Sequence, residues 1–451
     1  MTLHLFEAYG VELEYMIVDR ETLSVLPAAD LVLAAIAGEP ASEVEVGPLA
    51  WSNELVLHVL ELKTAAPAPA LAGLAADFDA GVRRADEILA RALPPPGGRL
   101  LPGAMHPWFD PETETRLWPH EGREVYRAYD RIFGCRGHGW SNLQAAHLNL
   151  PFAGDEELGI LHAGIRLLLP ILPALAASSP VVEGRVTGML DSRLEAYRTN
   201  SRRFASITGQ VVPEPVYTRA DYEERILQPI YRDLAPLDPE GVLLREFSNA
   251  RGAIARFERG SIEIRLLDVQ EAPRADLAIA ALVAGVLKLL AAERWSSQEA
   301  QRRFPTEPLA ALLGRTIRDA EAAEITDAAY LELLGFPGPP RARALAPDRL
   351  GLRGRGLPGL RRRREGTPPP TAGDLWRHLA AEAFAAGATD EAEFGGDLRV
   401  ILDQGPLARR ILRALGADAE VDAGIEIPRP RLREVWGRLA GCLAAGEMLR
   451  G

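Results

Sequence analysis

The sequence predicts an α+β protein, and three observations carry that prediction. Alternation of apolar and polar residues, the mark of half-buried strands, recurs at Val11 to Val18, within Ser141 to Pro151 and from Ser261 to Asp268. Other segments place apolar residues at helical spacing with charged partners between them. With 47% hydrophobic and 25% charged residues the chain falls in the ordinary globular range, and no internal repeat suggests a solenoid.

Taken in order, the first strand is bounded by Gly10. A helix follows over Leu71 to Ala92, stopped by Pro94-Pro95-Pro96-Gly97-Gly98. Gly103 to Pro119 is rich in His, Trp, Pro and acidic residues and reads as a loop, before a short amphipathic helix at Arg123 to Phe133. Ser141 to Pro151 reads as a strand with Ala146, Leu148 and Leu150 on one face and Ala145, His147 and Asn149 on the other. Helices are expected at Glu157 to Ala177, Leu190 to Arg203 and Ala275 to Arg294, with further strand at Ile254 to Asp268. Gly335 to Thr371 is a Pro-, Gly- and Arg-rich break, and Asp374 to Gly387, Leu398 to Leu415 and Pro430 to Arg450 read as helices. The expected division is a core over 1–300, a helical extension and linker over 301–372, and a helical C-terminal region over 373–451.

Composition narrows the function classes. A formal charge of −12 lacks the basic face that nucleic acid requires, so small-molecule substrates are expected. Positive charge is nearly all arginine, with lysine only at 63 and 288. Cys135 and Cys442 are too few for a disulfide framework, the first residues lack a signal-peptide pattern, and a reducing cytoplasm is the expected setting. Leu158 to Ala177 carries His162, Arg166, Pro170 and Pro173, and Leu277 to Ala292 is short and contains Lys288; both read as buried helices rather than membrane spans.

The chemistry gathers at a few places. On one face of a pleated strand, Glu12 and Glu14 stand roughly 6 to 7 Å apart, with Val11, Leu13 and Tyr15 on the other face. Two such carboxylates repel unless a cation bridges them, and Mg²⁺ is held by a few carboxylates plus phosphate oxygens. Trp51 to Ala66 adds Glu54, Glu61 and Lys63, and the strand at 147 adds His147 and Asn149. Arg251 and Arg256 lie just upstream of Ser261-Ile-Glu-Ile-Arg-Leu-Leu-Asp268, in which Glu263 and Arg265 project together, able to hold a cation beside a phosphate. Glu54 and Glu61 are seven apart, so a bend or bulge is needed to bring both to one face. Taken singly, each has a plainer reading: a solvated strand face, a structural histidine, a surface ion pair.

The ordered set Gly10-Val-Glu-Leu-Glu14, Glu54 to Glu61, Asn142-Leu-Gln-Ala-Ala-His-Leu-Asn-Leu-Pro151, Ala177-Ser-Ser-Pro180 and Ser261-Ile-Glu-Ile-Arg265 with Asp268 resembles the bacterial and plant-type glutamate-cysteine ligases and their carboxylate-amine ligase relatives, over roughly residues 5 to 300. The resemblance implies a glutamine synthetase-like core, a curved, mostly antiparallel sheet forming a funnel with flanking helices. It also implies an enzyme that uses ATP and Mg²⁺ to phosphorylate the glutamate γ-carboxylate and then joins it to the cysteine amine, the first step of glutathione-type thiol synthesis. By the same pattern Glu12, His147 and Glu263 hold metal on the nucleotide side, and Glu14, Glu54 and Glu61 hold one or two ions near the substrate. Glu263 and Arg265 are the catalytic pair, and Arg265 and Arg256 serve the nucleotide. The same chemistry with another amine or carboxylate, and a catalytically silent ATP-binding relative, are the alternatives.

Three features are expected to carry no chemistry. Ser178-Ser179-Pro180 reads as a helix cap and turn, and Cys135 as a small packing residue. Gly354-Arg-Gly-Leu-Pro-Gly359 matches a phosphate-loop string, but no strand precedes it.

Overall fold

The computed structural model describes residues 2–337, 368–419 and 422–450. The Gly354 to Gly359 string, Arg361 to Arg364 and most of the Pro-, Gly- and Arg-rich break lie outside the described residues. Ten strands are present among those described: β1 (Gly10–Asp19), β2 (Glu43–Val46), β3 (Leu49–Asn53), β4 (Val59–Thr64), β5 (Gly98–Leu101), β6 (Ala145–Pro151), β7 (Val181–Val182), β8 (Arg185–Val186), β9 (Ala253–Arg256) and β10 (Ser261–Asp268). Eight of them build one sheet in the order β2-β3-β4-β1-β6-β10-β9, with β5 also paired to β1. All its pairings are antiparallel. β1 is central because its first residues pair with β6 and β4 while its last pair with β5.

The alternation in β1 explains how the sheet is covered. Val11, Leu13, Tyr15 and Ile17 enter the main core beneath the helices Leu74–Ala92 and Pro273–Ala291. On the opposite face Glu12 and Glu14 give way to Met16 and Val18, which pack with Leu407, Ile411, Trp436 and Leu439 of the C-terminal helices. One strand therefore carries an acidic half and an apolar half on the same face, and the C-terminal helices cover the apolar half. Fully burying each such aliphatic side chain contributes about 1.5 to 3 kcal/mol.

The helices on either side of the undescribed segment join that main core through Leu309, Leu313, Leu375, Trp376 and Leu398. Trp376 also donates its indole N–H to the Ile171 carbonyl at 2.7 Å. Glu271, just beyond β10, pairs with Arg410, both fully buried, and accepts from the Leu449 N–H at 3.1 Å. Among the described residues no helix is long and apolar enough to cross a membrane.

Several element boundaries differ from expectation. The helix expected over Leu398 to Leu415 is two, Glu391–Gln404 and Leu407–Leu415, because Gly405 and Pro406 break the backbone ladder between them. The strand expected from Ser141 starts at Ala145, after a short helix at His138–Ser141. Strand Ile254 to Asp268 is a hairpin, turned at Gly260 with φ +65°, a value glycine adopts without steric cost.

Candidate functional site

The register of the sheet sets the site. Glu12 lies opposite His147 of β6 and opposite Lys63 of β4, while Glu14 lies opposite Glu61. The bend required between Glu54 and Glu61 is the β3–β4 hairpin, with Glu54 just past the end of β3 and Glu61 inside β4. Glu263 lies opposite Asn149 on β10. Six acidic or imidazole side chains from separate stretches of sequence thus share one region of one sheet. Glu14, Glu61, His147 and Glu263 are 8%, 5%, 7% and 3% exposed.

A β-bulge aims the arginine. Between Ile264 and Leu267 the β6–β10 register shifts, so Arg265 and Leu266 fall where the ladder is interrupted, the kind of break that re-aims side chains beside functional sites. The Arg265 N–H donates to the Gly252 carbonyl at 2.9 Å, and a Cβ on Gly252 would stand 2.6 Å from Leu266. Simple alternation put Glu263 and Arg265 on one face; the bulge keeps them together, with Arg265 Nε 2.9 Å from Glu263 Oε1. Arg256 Nη1 holds the other oxygen of Glu263 at 2.8 Å.

The electrostatics divide the acids into two groups. His147 Nδ1 is 3.0 Å from Glu12 Oε2, and Asn149 donates to Glu12 Oε1 at 3.0 Å. Burial alone would push Glu12 up, but the hydrogen bond and charge of His147 hold it down to about 2. Burial disfavours the imidazolium in turn, yet Glu12, Glu14 and Glu263 raise His147 to about 9. Glu12 and His147 are therefore an ion pair, and Glu263 is neutralised by its two arginines.

The second group lacks such partners. Burial, then repulsion from Glu14, raises Glu54 to about 7. Burial, then Glu12 and Glu54, raises Glu61 to about 8, although Lys63 Nζ stands 3.4 Å away and Ser52 donates to it at 3.3 Å. Glu14 is also raised, chiefly by burial, while one of its oxygens accepts from the Ala145 N–H at 2.7 Å.

That donor chemistry tests the fit of Mg²⁺. Glu14 and Glu61 are buried carboxylates and Glu54 is a partly buried one, and they repel one another, which is what a hard divalent cation relieves. Glu12, His147 and Glu263 can serve a cation only once His147 gives up a proton, because both carboxylates already have cationic partners. Among the described residues no cage of three or more His, Cys, Asp or Glu side chains is ready-made, so side chains would have to close on an ion.

Two cavities reach this cluster. One, of about 470 Å³, is lined by Glu14, Glu54, His147, Arg193 and Arg265 together with an aromatic wall. The other, of about 430 Å³, is lined by Glu12, Lys63, Asn149 and Arg259. Glu61, Glu263 and Arg256 line neither and stand behind the lining residues.

Arg193 is the residue that sequence reasoning missed. It is buried, lines the first cavity and is ion-paired through Nε to Asp268 Oδ1. Asp268 is held from behind by the Ser178 N–H at 2.7 Å and the Ser179 hydroxyl at 3.0 Å, and Ser179 Oγ in turn accepts from the Arg193 N–H at 3.0 Å. The Ser178-Ser179-Pro180 segment follows a helix as expected, but its hydroxyls also fix this pair. The signal was a charged Asp268 ending an apolar strand, which demands a buried counterion. Cys135 is fully buried, with burial pushing its thiol far up, in keeping with a packing role.

The model of the family described as glutamate-cysteine ligase family 2 matches residues 8–329. A relative from Archaeoglobus fulgidus, named only "Uncharacterized protein", is 36% identical over 279 residues, which cover 62% of this chain and 73% of that one. A glutamate–cysteine ligase from Francisella tularensis, solved in complex with AMP, superposes with a TM-score of 0.53 at 12% identity, covering 100% of this chain and 96% of that one. A bifunctional glutathione synthetase from Pasteurella multocida gives 0.52 at 14% identity, covering 96% of this chain. This chain spans 53% of the length of that bifunctional enzyme. At such identities the two solved structures speak for a shared fold.

Proposed function

Because the chain belongs to glutamate-cysteine ligase family 2, we propose that it is an ATP- and Mg²⁺-dependent carboxylate–amine ligase that activates the γ-carboxylate of glutamate and joins it to an amine. Cysteine is the acceptor that the family resemblance supplies, giving γ-glutamylcysteine in a cytoplasmic, glutathione-type thiol pathway. A glutamine synthetase-like funnel over residues 1–300 carries the chemistry in this reading.

The observation that supports it most is the convergence of Glu12, Glu14, Glu54, Glu61, His147 and Glu263 beside Arg265 on one sheet. A free carboxylate is a poor acylating agent, so phosphorylation supplies a leaving group, and transfer between anions requires positive charge placed in advance. A γ-carboxylate oxygen attacks the γ-phosphorus of ATP, and ADP departs. The amine nitrogen then attacks the acyl carbon, the C–N bond forms, the C–O bond to phosphate breaks, and phosphate leaves. Arg265, fixed by Glu263 and the bulge, faces the transferred phosphoryl group, and Arg256 adds charge from behind Glu263. Glu14, Glu54 and Glu61 would hold one or two Mg²⁺ near the donor carboxylate, and Glu12, Glu263 and neutral His147 would hold one on the nucleotide side. Bound there, the ions neutralise phosphate and carboxylate charge.

A different amine in the same chemistry is a second reading, favoured by the aromatic wall of the larger cavity. The test is to incubate pure protein with ATP, Mg²⁺ and glutamate, add amines singly, and follow ADP and product mass. Glutamate-dependent ADP release with γ-glutamylcysteine as product is the expected result; no release with any amine overturns the proposal.

A further inference from the structure

We propose that the phenol of Tyr197 is a further catalytic group of the larger cavity: it donates a hydrogen bond to the acyl oxygen of the activated donor and stabilises the oxyanion that forms as the amine adds. This rests on the ligase reading above. Tyr197 lies on helix Ser192–Asn200, whose Arg193, Tyr197 and Asn200 recur at helical spacing and line the cavity together. The charged and hydroxyl-bearing side chains around it are engaged. Glu14 accepts from the Ala145 N–H, His147 is paired with Glu12, Arg193 with Asp268 and Arg265 with Glu263. Tyr126 accepts from Asn53 Nδ2 at 2.9 Å, and Tyr129 donates to Ser248 Oγ at 3.3 Å. Among the described residues, the Tyr197 hydroxyl is the one buried side-chain polar atom of this lining with neither a hydrogen bond nor an ion pair.

The surroundings of the hydroxyl explain why it is left over. Its cationic neighbours in the cavity are Arg193 and Arg265, and a guanidinium carries donors only, so neither can receive the phenolic proton. The nearby carboxylate of Glu263 is committed to Arg265 at 2.9 Å and to Arg256 at 2.8 Å. Burial holds the phenol above its ordinary pKa against the pull of the two arginines, so at neutral pH it keeps its proton and is a donor, not a base. A buried donor without an acceptor is costly, and a ligand that supplies the acceptor removes that cost. Since the ligase reading sets Arg265 against the transferred phosphoryl group, the acyl group joined to it comes to the same corner of the cavity. The direction of charge flow then assigns the step. On phosphorylation the second oxygen of the donor passes from carboxylate to carbonyl and loses negative charge. When the amine nitrogen attacks the acyl carbon, the carbonyl electron pair moves onto that oxygen and it becomes an oxyanion. A donor aimed there favours the second step over the first. The pair returns as the C–O bond to phosphate breaks, the amine proton leaves with the phosphate, and Tyr197 keeps its own proton throughout.

The experiment compares the parent protein with Tyr197→Phe, which removes the hydroxyl and keeps the ring. Protein in excess over ATP is mixed with Mg²⁺, glutamate and the amine selected by the product assay above, and ADP and the γ-glutamyl amide are timed separately within a single turnover. The expected result is ADP formation within about twofold of the parent and amide formation slower by about 10². The melting temperature should be no lower than the parent's, since the hydroxyl makes no hydrogen bond in the unliganded protein. ADP and amide formation slowed to the same extent overturn the inference, by placing the hydroxyl on the phosphoryl group. Unchanged amide formation overturns it too, as does a variant that melts several degrees lower, which would make the hydroxyl a structural group. No ADP from the parent with any amine defeats the ligase reading, and this inference with it.

Discussion

Glu14 and Glu61 face each other across the β1–β4 pair, two buried carboxylates directly opposite in register. Like charges so placed oppose folding by roughly 0.2 to 1 kcal/mol even on open sheets. The site therefore carries a stability cost that an ion would relieve. Glu61→Gln is expected to raise the Tm of the metal-free protein at pH 8 by about 1 to 3 °C while lowering kcat/KM by about 10² or more. A variant that melts lower and keeps its turnover would remove Glu61 from the proposed metal set.

The pH dependence of stability has a definite sign. Glu54 and Glu61 are raised from 4.5 to about 7 and about 8, so the folded state binds their protons more tightly than the unfolded chain does. The stability they contribute is complete below 4.5 and is lost as pH rises through about 7 and 8. His147, raised from 6.5 to about 9, adds to the same trend, since its contribution is complete below 6.5 and lost through about 9. Melting temperature should fall steadily between about pH 6 and 9, and the Tm gain from Mg²⁺ should grow over the same range because binding displaces protons. A metal-independent, flat melting profile would sink this account.

Arg265 depends on the bulge that aims it. Arg265→Ala is expected to cut ADP release by about 10² to 10³ with little change in melting temperature. Gly252→Ala tests the aim itself, since the new methyl would meet Leu266 at 2.6 Å and push on the bulge. Overpacking of this kind costs about 1 to 3 kcal/mol, and a displacement near 1 Å lowers turnover by about 10². If Gly252→Ala turns over normally, the bulge does not set the position of Arg265.

The sheet and the carboxylate cluster were legible for one reason: Glu12, Glu14, His147 and Glu263 sit in strands whose two-residue period states which face they take. Where the period breaks, legibility stopped. The hairpin that carries Glu54 and the bulge at Arg265 are backbone events with no alternation to read. Arg193 was hidden for a different cause, because its partner Asp268 is 75 residues away and only the folded chain brings them together. The break at Gly405 and Pro406 was visible as a dipeptide, but apolar spacing on both sides masked it.

The Glu271–Arg410 pair gives a prediction about stability alone. Both side chains are fully buried, and Arg410 also donates to the Leu449 carbonyl at 2.7 Å. Arg410→Met leaves Glu271 charged and uncompensated, at an expected cost of about 3 to 5 kcal/mol in urea unfolding. Replacing both residues, Glu271→Leu with Arg410→Met, should recover most of that loss. A single variant as stable as the parent would show the pair to be dispensable.

The same pair bears on how the protein is made. Glu271 follows the strand that carries Glu263, Arg265 and Asp268, but its partners lie 139 and 178 residues downstream. At about 5 to 20 residues per second the ribosome needs roughly ten to thirty-five seconds to supply them. During that interval Glu271 has emerged without the counterion that lets it be enclosed, so the chain just beyond this strand must stay solvated or chaperoned until the C-terminal helices arrive.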